Sequence, residues 1–296
     1  MTNLKNKVRM GYGRKGRKSN KGFTLIELIL VIIILGIMAV GISSFITLST
    51  QTYLNATNRD ELIGNARFVI ERLSRELKNA VPNSIRTASF GPYDCIQFTP
   101  IVASTVYTDI PVSPEQASKI LKVIPFNGDD GTPYKCDIAS AEGCDDLVIV
   151  YPLNKDDIWN DHLDDSGKMF PIESIDRNVD PWQIKINNTN KITFTEDSPT
   201  QRLYITNRQV SYCTFPTSIG GFVIRFRDLI TKGEFRPGSN SFIMAGYLKN
   251  DLSDHAPFNY QPATLKRNAV IQIHLPFTKE GENYVFDHEV HINNVP

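Results

Sequence analysis

The longest apolar run in the chain covers residues 23–42, where Thr24 and Glu27 are the only polar side chains. An α-helix rises about 1.5 Å per residue, so a run of this length spans roughly 30 Å, the thickness of one hydrocarbon core. The pattern therefore predicts a membrane-spanning helix over residues 23–42.

Beyond residue 43 the helical pattern continues, now with an amphipathic period. Apolar residues recur at spacings of three and four: Leu62, Ala66, Val69, Ile70, Leu73 and Leu77. Such a stripe is typical of a helix that packs on a core. No proline interrupts the pattern before Pro82, and proline commonly ends a helix. The sequence thus predicts one helix from residue 23 to about residue 80, with residues 43–81 as its amphipathic half.

Residues 83–296 carry a different pattern, in which short β-rich runs alternate with turn residues. The runs predict strands at residues 95–102, 147–151, 183–186, 192–195, 202–206, 210–215, 222–227, 241–248, 269–277 and 284–292. Residues 279–283 are predicted to form a hairpin loop before the last strand. The stretch 154–181, rich in Asp, Asn and Pro, is predicted to be a long loop or a lobe boundary. The predicted fold class is α+β: a long N-terminal helix, then a mainly antiparallel β domain, with enough residues for a second β lobe.

The composition is that of a globular protein, but the charge is unevenly distributed. The chain has 32 basic and 32 acidic residues, and its first 26 residues hold eight basic residues and no acidic one. Positive charge flanking a membrane span stays on the cytoplasmic side, so residues 83–296 are expected to be translocated to the opposite side of the membrane. Beyond residue 22, 24 basic residues face 32 acidic ones, which disfavours nucleic-acid binding.

The N-terminal span differs from an ordinary cleaved secretory signal. Such a signal has an apolar segment of about 7–15 residues followed by a small-residue cleavage site. Here the run is longer, and residues 42–45 offer no convincing site of that kind. A plain signal anchor therefore remains an alternative at this point.

Glu27 is the unusual residue of the span. A carboxylate inside a membrane helix costs about 2.5–3.5 kcal/mol, so it needs a partner. One interpretation places Glu27 near the interface, solvated by lipid headgroups. The other pairs it with an amine of a neighbouring chain, which cleavage after Gly22 would create on Phe23.

The residues Lys21-Gly22-Phe23-Thr24-Leu25-Ile26-Glu27 resemble the type IV prepilin signal. The resemblance implies that a prepilin peptidase removes residues 1–22 and methylates the new N-terminal amine of Phe23. It also implies that Glu27, fifth in the mature chain, guides docking into a filament. The implied partners are prepilin peptidase, other minor and major pilins, an inner-membrane platform protein and a cytoplasmic assembly ATPase.

A narrower resemblance is to minor pilins of the mannose-sensitive haemagglutinin (MSHA) pilus system. It is carried by residues 67–77, 80–86 and 288–296. A minor pseudopilin of a type II secretion system shares the same plan, although 296 residues is long for one. A membrane-anchored adhesin or ligand-binding module is a further alternative. The expected role is a structural subunit that primes the pilus or assembles at its tip.

Motifs for catalysis are weak or misplaced. Residues 11–16 match G-x-G-x-x-G, but no strand precedes them and they lie in the basic leader, so a dinucleotide site is rejected. The five histidines are scattered along the sequence: His162, His255, His274, His288 and His291. The chain is therefore expected to be neither an enzyme nor a cofactor-binding protein.

Five aspartates cluster in one stretch: Asp156, Asp157, Asp161, Asp164 and Asp165. Calcium prefers such oxygen ligands, but the spacing lacks the alternation of an EF-hand loop. A solvated acidic loop is the favoured interpretation, with calcium binding as the alternative and no metal expected.

The four cysteines, Cys95, Cys136, Cys144 and Cys213, include no C-x-x-C pair, which disfavours zinc and thioredoxin-like chemistry. All four follow the span and are expected outside the cytoplasm, where disulfides persist. Of the three possible pairings we favour Cys136–Cys144 with Cys95–Cys213. On loop entropy alone these bonds contribute roughly 3 and 5 kcal/mol as upper estimates.

Overall fold

The computed structural model describes residues 22–128, 130–136, 144–160, 165–217, 220–231, 233, 235, 237–250, 255–263 and 267–292. Within these residues the chain forms the helices α1 (Leu25–Lys78) and α2 (Asp156–Trp159). The strands are β1 (Arg86–Phe90), β2 (Tyr93–Phe98), β3 (Ala103–Asp109), β4 (Ile120–Val123), β5 (Leu147–Val150), β6 (Ser166–Gly167), β7 (Met169–Asp176), β8 (Trp182–Ile186), β9 (Thr193–Phe194), β10 (Arg202–Thr206), β11 (Gln209–Phe215), β12 (Gly221–Asp228), β13 (Ser241–Leu248), β14 (Phe258–Gln261), β15 (Ala269–Lys279) and β16 (Glu282–Ile292). The predicted fold class is confirmed: a long N-terminal helix precedes a mainly antiparallel β domain.

The chain divides into two compact units, Met1–Asn55 and Ala56–Pro296. In the first unit, the described residues after Thr24 belong to α1, and all of their side chains are exposed. This helix is long and apolar enough to cross a membrane. Its exposed surface is therefore suited to an apolar surrounding rather than to water.

In the second unit, α1 buries the stripe that the sequence predicts. Its buried residues there are Leu62, Ala66, Val69, Ile70, Ser74, Leu73 and Leu77. All of them except Ser74 share one hydrophobic cluster with residues of the large sheet, including Ile96, Phe98 and Ile271. Burying a side chain of this size contributes roughly 1.5–3 kcal/mol, so the sheet and the stripe hold this half of α1 in place.

The large sheet has eight antiparallel strands and packs its inner face on α1. Its order is β1-β2-β11-β12-β13-β15-β14, and β16 pairs along β15. The β15–β16 hairpin is the longest pairing, with a continuous register from Ala269 opposite Ile292 to Lys279 opposite Glu282.

A second β lobe is present, as a closed barrel of the strands β10-β3-β4-β8-β7-β5. Its interior is filled by buried apolar side chains such as Leu121, Phe170 and Leu203. All barrel strands lie in sequence between β2 and β11, which are themselves neighbours in the large sheet. The barrel is therefore an insertion between two paired strands of the sheet.

A third cluster fills the junction between the end of α1, the helix α2 and the barrel. It joins Val81, just after α1, to Ile149, Met169 and Tyr204 of the barrel and to Ile158 and Trp159 of α2. The Trp159 indole Nε1 donates a hydrogen bond to the Ser84 carbonyl at 3.0 Å.

Arg86 closes this junction from the side of the large sheet. Its guanidinium lies 4.0 Å from the Trp159 ring centroid, a favourable cation–π geometry. Burial lowers the pKa of Arg86 to about 10, so the group stays charged at neutral pH. The four-residue helix α2 thus serves to place one large aromatic side chain.

The structure corrects two predictions about loops. Residues 154–181 are not a long loop, because they include α2, β6 and the barrel strand β7. The prediction missed β7 because this strand contains Pro171 and acidic residues. Pro171 nevertheless pairs with Leu147 in the barrel. The predicted five-residue loop 279–283 is a two-residue turn, in which Glu280 and Gly281 have φ of 48° and 86°. Such positive values match the twist of a tight hairpin.

An ion pair between α1 and β12 carries a prediction about stability. Glu76 accepts from the Arg225 Nε at 3.0 Å, and the two side chains are 19% and 11% exposed. Removing the carboxylate leaves a nearly buried guanidinium without this partner, so we expect Glu76→Ala to lower the free energy of unfolding by about 2–3 kcal/mol. Urea unfolding of the detergent-solubilised protein measures the loss.

Glu71→Ala is the matched control for Glu76→Ala. Glu71 is an exposed residue of the same helix, and exposed charges usually contribute less than about 1 kcal/mol. Equal losses in the two variants would show that the Glu76–Arg225 pair does not stabilise the fold.

Candidate functional site

The candidate site is the start of α1, where the predicted processing residues lie. Gly22 and Phe23 precede the helix, and the Phe23 side chain is 80% exposed. A Cβ added at Gly22 would meet no atom within 4 Å. The peptide bond between Gly22 and Phe23 is thus open to an approaching protein. Residues 1–21 of the predicted leader lie outside the described residues.

Thr24 begins the helix, a role that the sequence analysis missed. Its side-chain Oγ1 accepts a hydrogen bond from the Glu27 backbone N–H at 3.4 Å, and its carbonyl accepts from Leu28 N at 3.2 Å. This is the geometry of an N-cap residue. The pattern Thr-x-x-Glu before an apolar run is a recognised helix-start signal and could have located the cap.

Glu27 therefore lies in the first turn of α1. The backbone N–H groups of a first turn carry partial positive charge, which favours a nearby carboxylate. An amine on Phe23 would add a full positive charge four residues before it. The arrangement can hold one anion and one cation at the same end of an apolar helix.

The helix beyond Glu27 carries no acidic or basic side chain until Arg59. Its hydroxyl groups are partly satisfied internally, since Thr47 Oγ1 donates to the Ser43 carbonyl at 3.0 Å and Thr52 Oγ1 to the Leu48 carbonyl at 2.9 Å. Hydroxyls bonded to their own helix do not require water. Glu27 is thus the single charged group at the apolar end of α1.

The structure pairs the cysteines as the sequence analysis favours, Cys95 with Cys213 and Cys136 with Cys144. Cys95 and Cys213 are register partners on the neighbouring strands β2 and β11, with Cα atoms 4.1 Å apart. The barrel is inserted between those strands, so this bond links the strand that precedes the barrel to the strand that follows it.

Cys136 and Cys144 form the second bond, with Cα atoms 5.6 Å apart. Their sulfurs and a carboxylate oxygen of Asp146 make up a group of potential metal ligands within 4.8 Å of one another, the one such group in the described part of the chain. Both sulfurs are used by the disulfide, and a disulfide sulfur is a poor metal ligand because metals bind the thiolate.

The structure separates the aspartates of the candidate calcium loop. Asp156 and Asp157 lie in α2, and Asp157 accepts from Leu153 N at 2.7 Å and lies 3.4 Å from the Lys168 Nζ. Asp165 instead accepts from the side-chain amides of Asn188 and Asn190. Asp161 and Asp164 lie outside the described residues. The three described carboxylates therefore stabilise local structure at different places.

Comparison with known proteins gives one match, at the candidate site. A family model described as the prokaryotic N-terminal methylation motif matches residues 17–43. The match covers the Gly22–Phe23 junction, Glu27 and the apolar run. Searches among curated proteins and among solved structures found no match.

Proposed function

We propose that this chain is a minor pilin of a type IV, MSHA-like pilus, of the MshO type, acting in pilus biogenesis by priming or tip assembly. The N-methylation motif supports a pilin-type protein; the minor role and the MSHA system rest on the resemblances of residues 67–77, 80–86 and 288–296 and on the length of the chain. The single observation that carries the proposal is the motif match across the Gly22–Phe23 junction and the exposed apolar start of α1.

The proposed organisation follows from the motif. Residues 1–22 are a leader that prepilin peptidase removes, after which Phe23 is methylated. Residues 23–42 anchor the subunit in the inner membrane, residues 43–81 form the amphipathic half of the helix, and residues 83–296 form a periplasmic head. Two disulfides in the head support this orientation, because disulfides persist outside the cytoplasm.

The assembly mechanism is proposed from the energetics of α1. In the membrane, lipid covers the exposed apolar side chains of its first half; in a filament, the helices of other pilins would cover them. Glu27 gains little from lipid, since a carboxylate there is costly. An ion pair with the methylated amine of a neighbouring chain satisfies both charges and sets the axial stagger between subunits.

Two other functions share part of this support. A minor pseudopilin of a type II secretion system would carry the same motif and work with a different machine. A membrane-anchored adhesin or ligand-binding module is favoured by the inserted barrel, a lobe beyond the sheet that packs on α1. The genes that flank this one distinguish pilus from secretion, and glycan-binding measurements test the adhesin.

Glu27→Val tests the proposed docking role. We expect this variant to be inserted, cleaved and folded normally, but to be lost from sheared pili, because added hydrophobicity does not replace the ion pair. Glu27→Ala should behave in the same way. The measurement compares the amount of subunit in membranes with that in sheared pili, together with a pilus count.

Ser44→Val is the matched control, since it adds the same apolar side chain to the same helix without removing a charge. It should enter pili at the level of the original chain. Normal incorporation of Glu27→Val would show that the carboxylate is not a docking group and would favour an interfacial anchor.

A further inference from the structure

The strands β14, β15 and β16 are neighbours, and polar side chains on them line a cleft of about 500 Å³. The residues of the cleft that bear polar side chains are His255, Asn259, Gln272, His274, Asp287, His288 and Glu289. Gln272 and His274 share one face of β15, because they are two residues apart. In the register, Glu289 lies opposite Gln272 and Asp287 lies opposite His274, so the four side chains form two rows across the hairpin.

The first row orients a carboxylate. The Asn259 side-chain amide donates to Gln272 Oε1 at 3.1 Å, and Gln272 Nε2 donates to Glu289 Oε1 at 3.0 Å. The second oxygen of Glu289 has no hydrogen-bond partner among the described residues. One oxygen is held and the other is available to a ligand.

The second row orients an imidazole. His274 Nδ1 lies 2.6 Å from Asp287 Oδ1, and a carboxylate in that position accepts a hydrogen bond from Nδ1–H. The lone pair of His274 is then on Nε2, the nitrogen a metal ion would bind. Metal-binding histidines commonly have this carboxylate partner on their second ring nitrogen.

A second imidazole lies beside the first. The ring centroids of His255 and His274 are 4.9 Å apart, with the planes 31° apart. A metal–nitrogen bond of about 2.1 Å places each ring centroid roughly 3 Å from the ion, so two rings on one ion lie about 5 Å apart at a near-tetrahedral angle. His274 N donates to the Pro257 carbonyl at 3.0 Å, which ties the segment carrying His255 to β15.

We propose that this cleft binds a first-row divalent transition metal ion, of which Zn²⁺ is the probe. His255 and His274 supply two imidazole nitrogens, Glu289 supplies a carboxylate oxygen, and water completes the shell. Imidazole with one carboxylate suits these ions, whereas Ca²⁺ takes six to eight oxygens. Asp287 and Gln272 are positioning residues that act through His274 and Glu289.

The three ligand groups are not in place before the ion binds. The donor atoms of His255, His274 and Glu289 are not all within 4.8 Å of one another. His255 is exposed, so its ring can turn toward the second oxygen of Glu289, while Gln272 holds the first. The ion therefore has to order the His255 side chain, and the strands of the hairpin are already paired without it.

The test is Zn²⁺ titration of the full chain in detergent, purified without a polyhistidine tag and followed by calorimetry. We expect one site, and a Kd that rises more than about tenfold in His255→Ala and about tenfold in Asp287→Asn, which keeps every proposed ligand. His291→Ala is the matched control. His291 is exposed on the same strand β16 but does not line the cleft, so its loss should leave the Kd unchanged.

Three results would overturn the proposal. The first is no Zn²⁺ binding by the unmodified chain. The second is equal binding by the double variant His255→Ala/His274→Ala, because the ion would then lie elsewhere. The third is Ca²⁺ binding as tight as that of Zn²⁺, which would indicate an oxygen site. Unfolding measurements without metal show whether each variant is folded. His255 is exposed, so His255→Ala is informative even if His274→Ala is unstable.

Discussion

A Gly22→Leu subunit is expected to accumulate in the membrane with its leader still attached and to be missing from pili. Cleavage requires the peptidase to approach the backbone between Gly22 and Phe23, and a residue without a side chain allows that approach. The junction precedes the first helical residue, Leu25, and is open to solvent. A branched side chain there would occupy the space that the enzyme needs.

Electrophoretic mobility and intact mass measure cleavage of Gly22→Leu in cells that express prepilin peptidase. Gly36→Leu is the matched control, since a Cβ at Gly36 also meets no atom within 4 Å and the site lies inside the helix. The control should be cleaved at the normal rate. Complete cleavage of Gly22→Leu would mean that the enzyme does not read this glycine.

Removing the disulfide between Cys95 and Cys213 is expected to cost far more stability than removing the other one. The bond closes 118 residues, which include the whole barrel, whereas Cys136–Cys144 closes eight. Loop entropy alone then gives upper estimates of about 5 and about 3 kcal/mol. Cys95 and Cys213 are also 1% and 2% exposed, so alanines in their place leave a cavity in the sheet, which adds to the loss.

Urea unfolding of the detergent-solubilised double variants, followed by tryptophan fluorescence, measures the two losses. Trp159 reports on the junction and Trp182 on the barrel. The same measurement on the reduced original chain, which lacks both bonds but keeps all four cysteine side chains, separates the effect of losing the bonds from that of the cavities. Equal stability of the two double variants would contradict the view that Cys95–Cys213 clamps the inserted barrel.

Local patterns were sufficient to predict α1 and most strands of the large sheet. The stripe that includes Leu62 and Leu77 is buried as expected, and the predicted strand at 241–248 has the bounds of β13 in the large sheet. The predicted strand at 202–206 has the bounds of β10 in the barrel. These elements have a clear period of apolar residues, which a single segment contains in full.

The insertion of the barrel could not be read from the sequence. It depends on β2 pairing with β11, a contact between segments more than 100 residues apart. Strand β3 was missed although it contains Thr105, Val106 and Tyr107, residue types that favour strands. The short helix α2 was missed because its first two residues are acidic. Its Trp159 is buried because it packs in the junction cluster.

The candidate processing site is a prediction from one short segment of the sequence. Gly22, Phe23 and Glu27 belong to one contiguous motif, so no long-range pairing is needed to find them. The histidine cleft is the opposite case. His255, His274 and Glu289 come from three separate segments, and the register of β15 with β16 brings two of them together.

The intact mass and N-terminal sequence of the subunit purified from membranes show whether this chain is processed as a pilin-type subunit. The cells must contain active prepilin peptidase. We expect a chain that starts at Phe23 and carries one methyl group on its amine. A chain that retains residues 1–22, or that starts beyond the apolar run as a cleaved secretory protein would, contradicts this expectation.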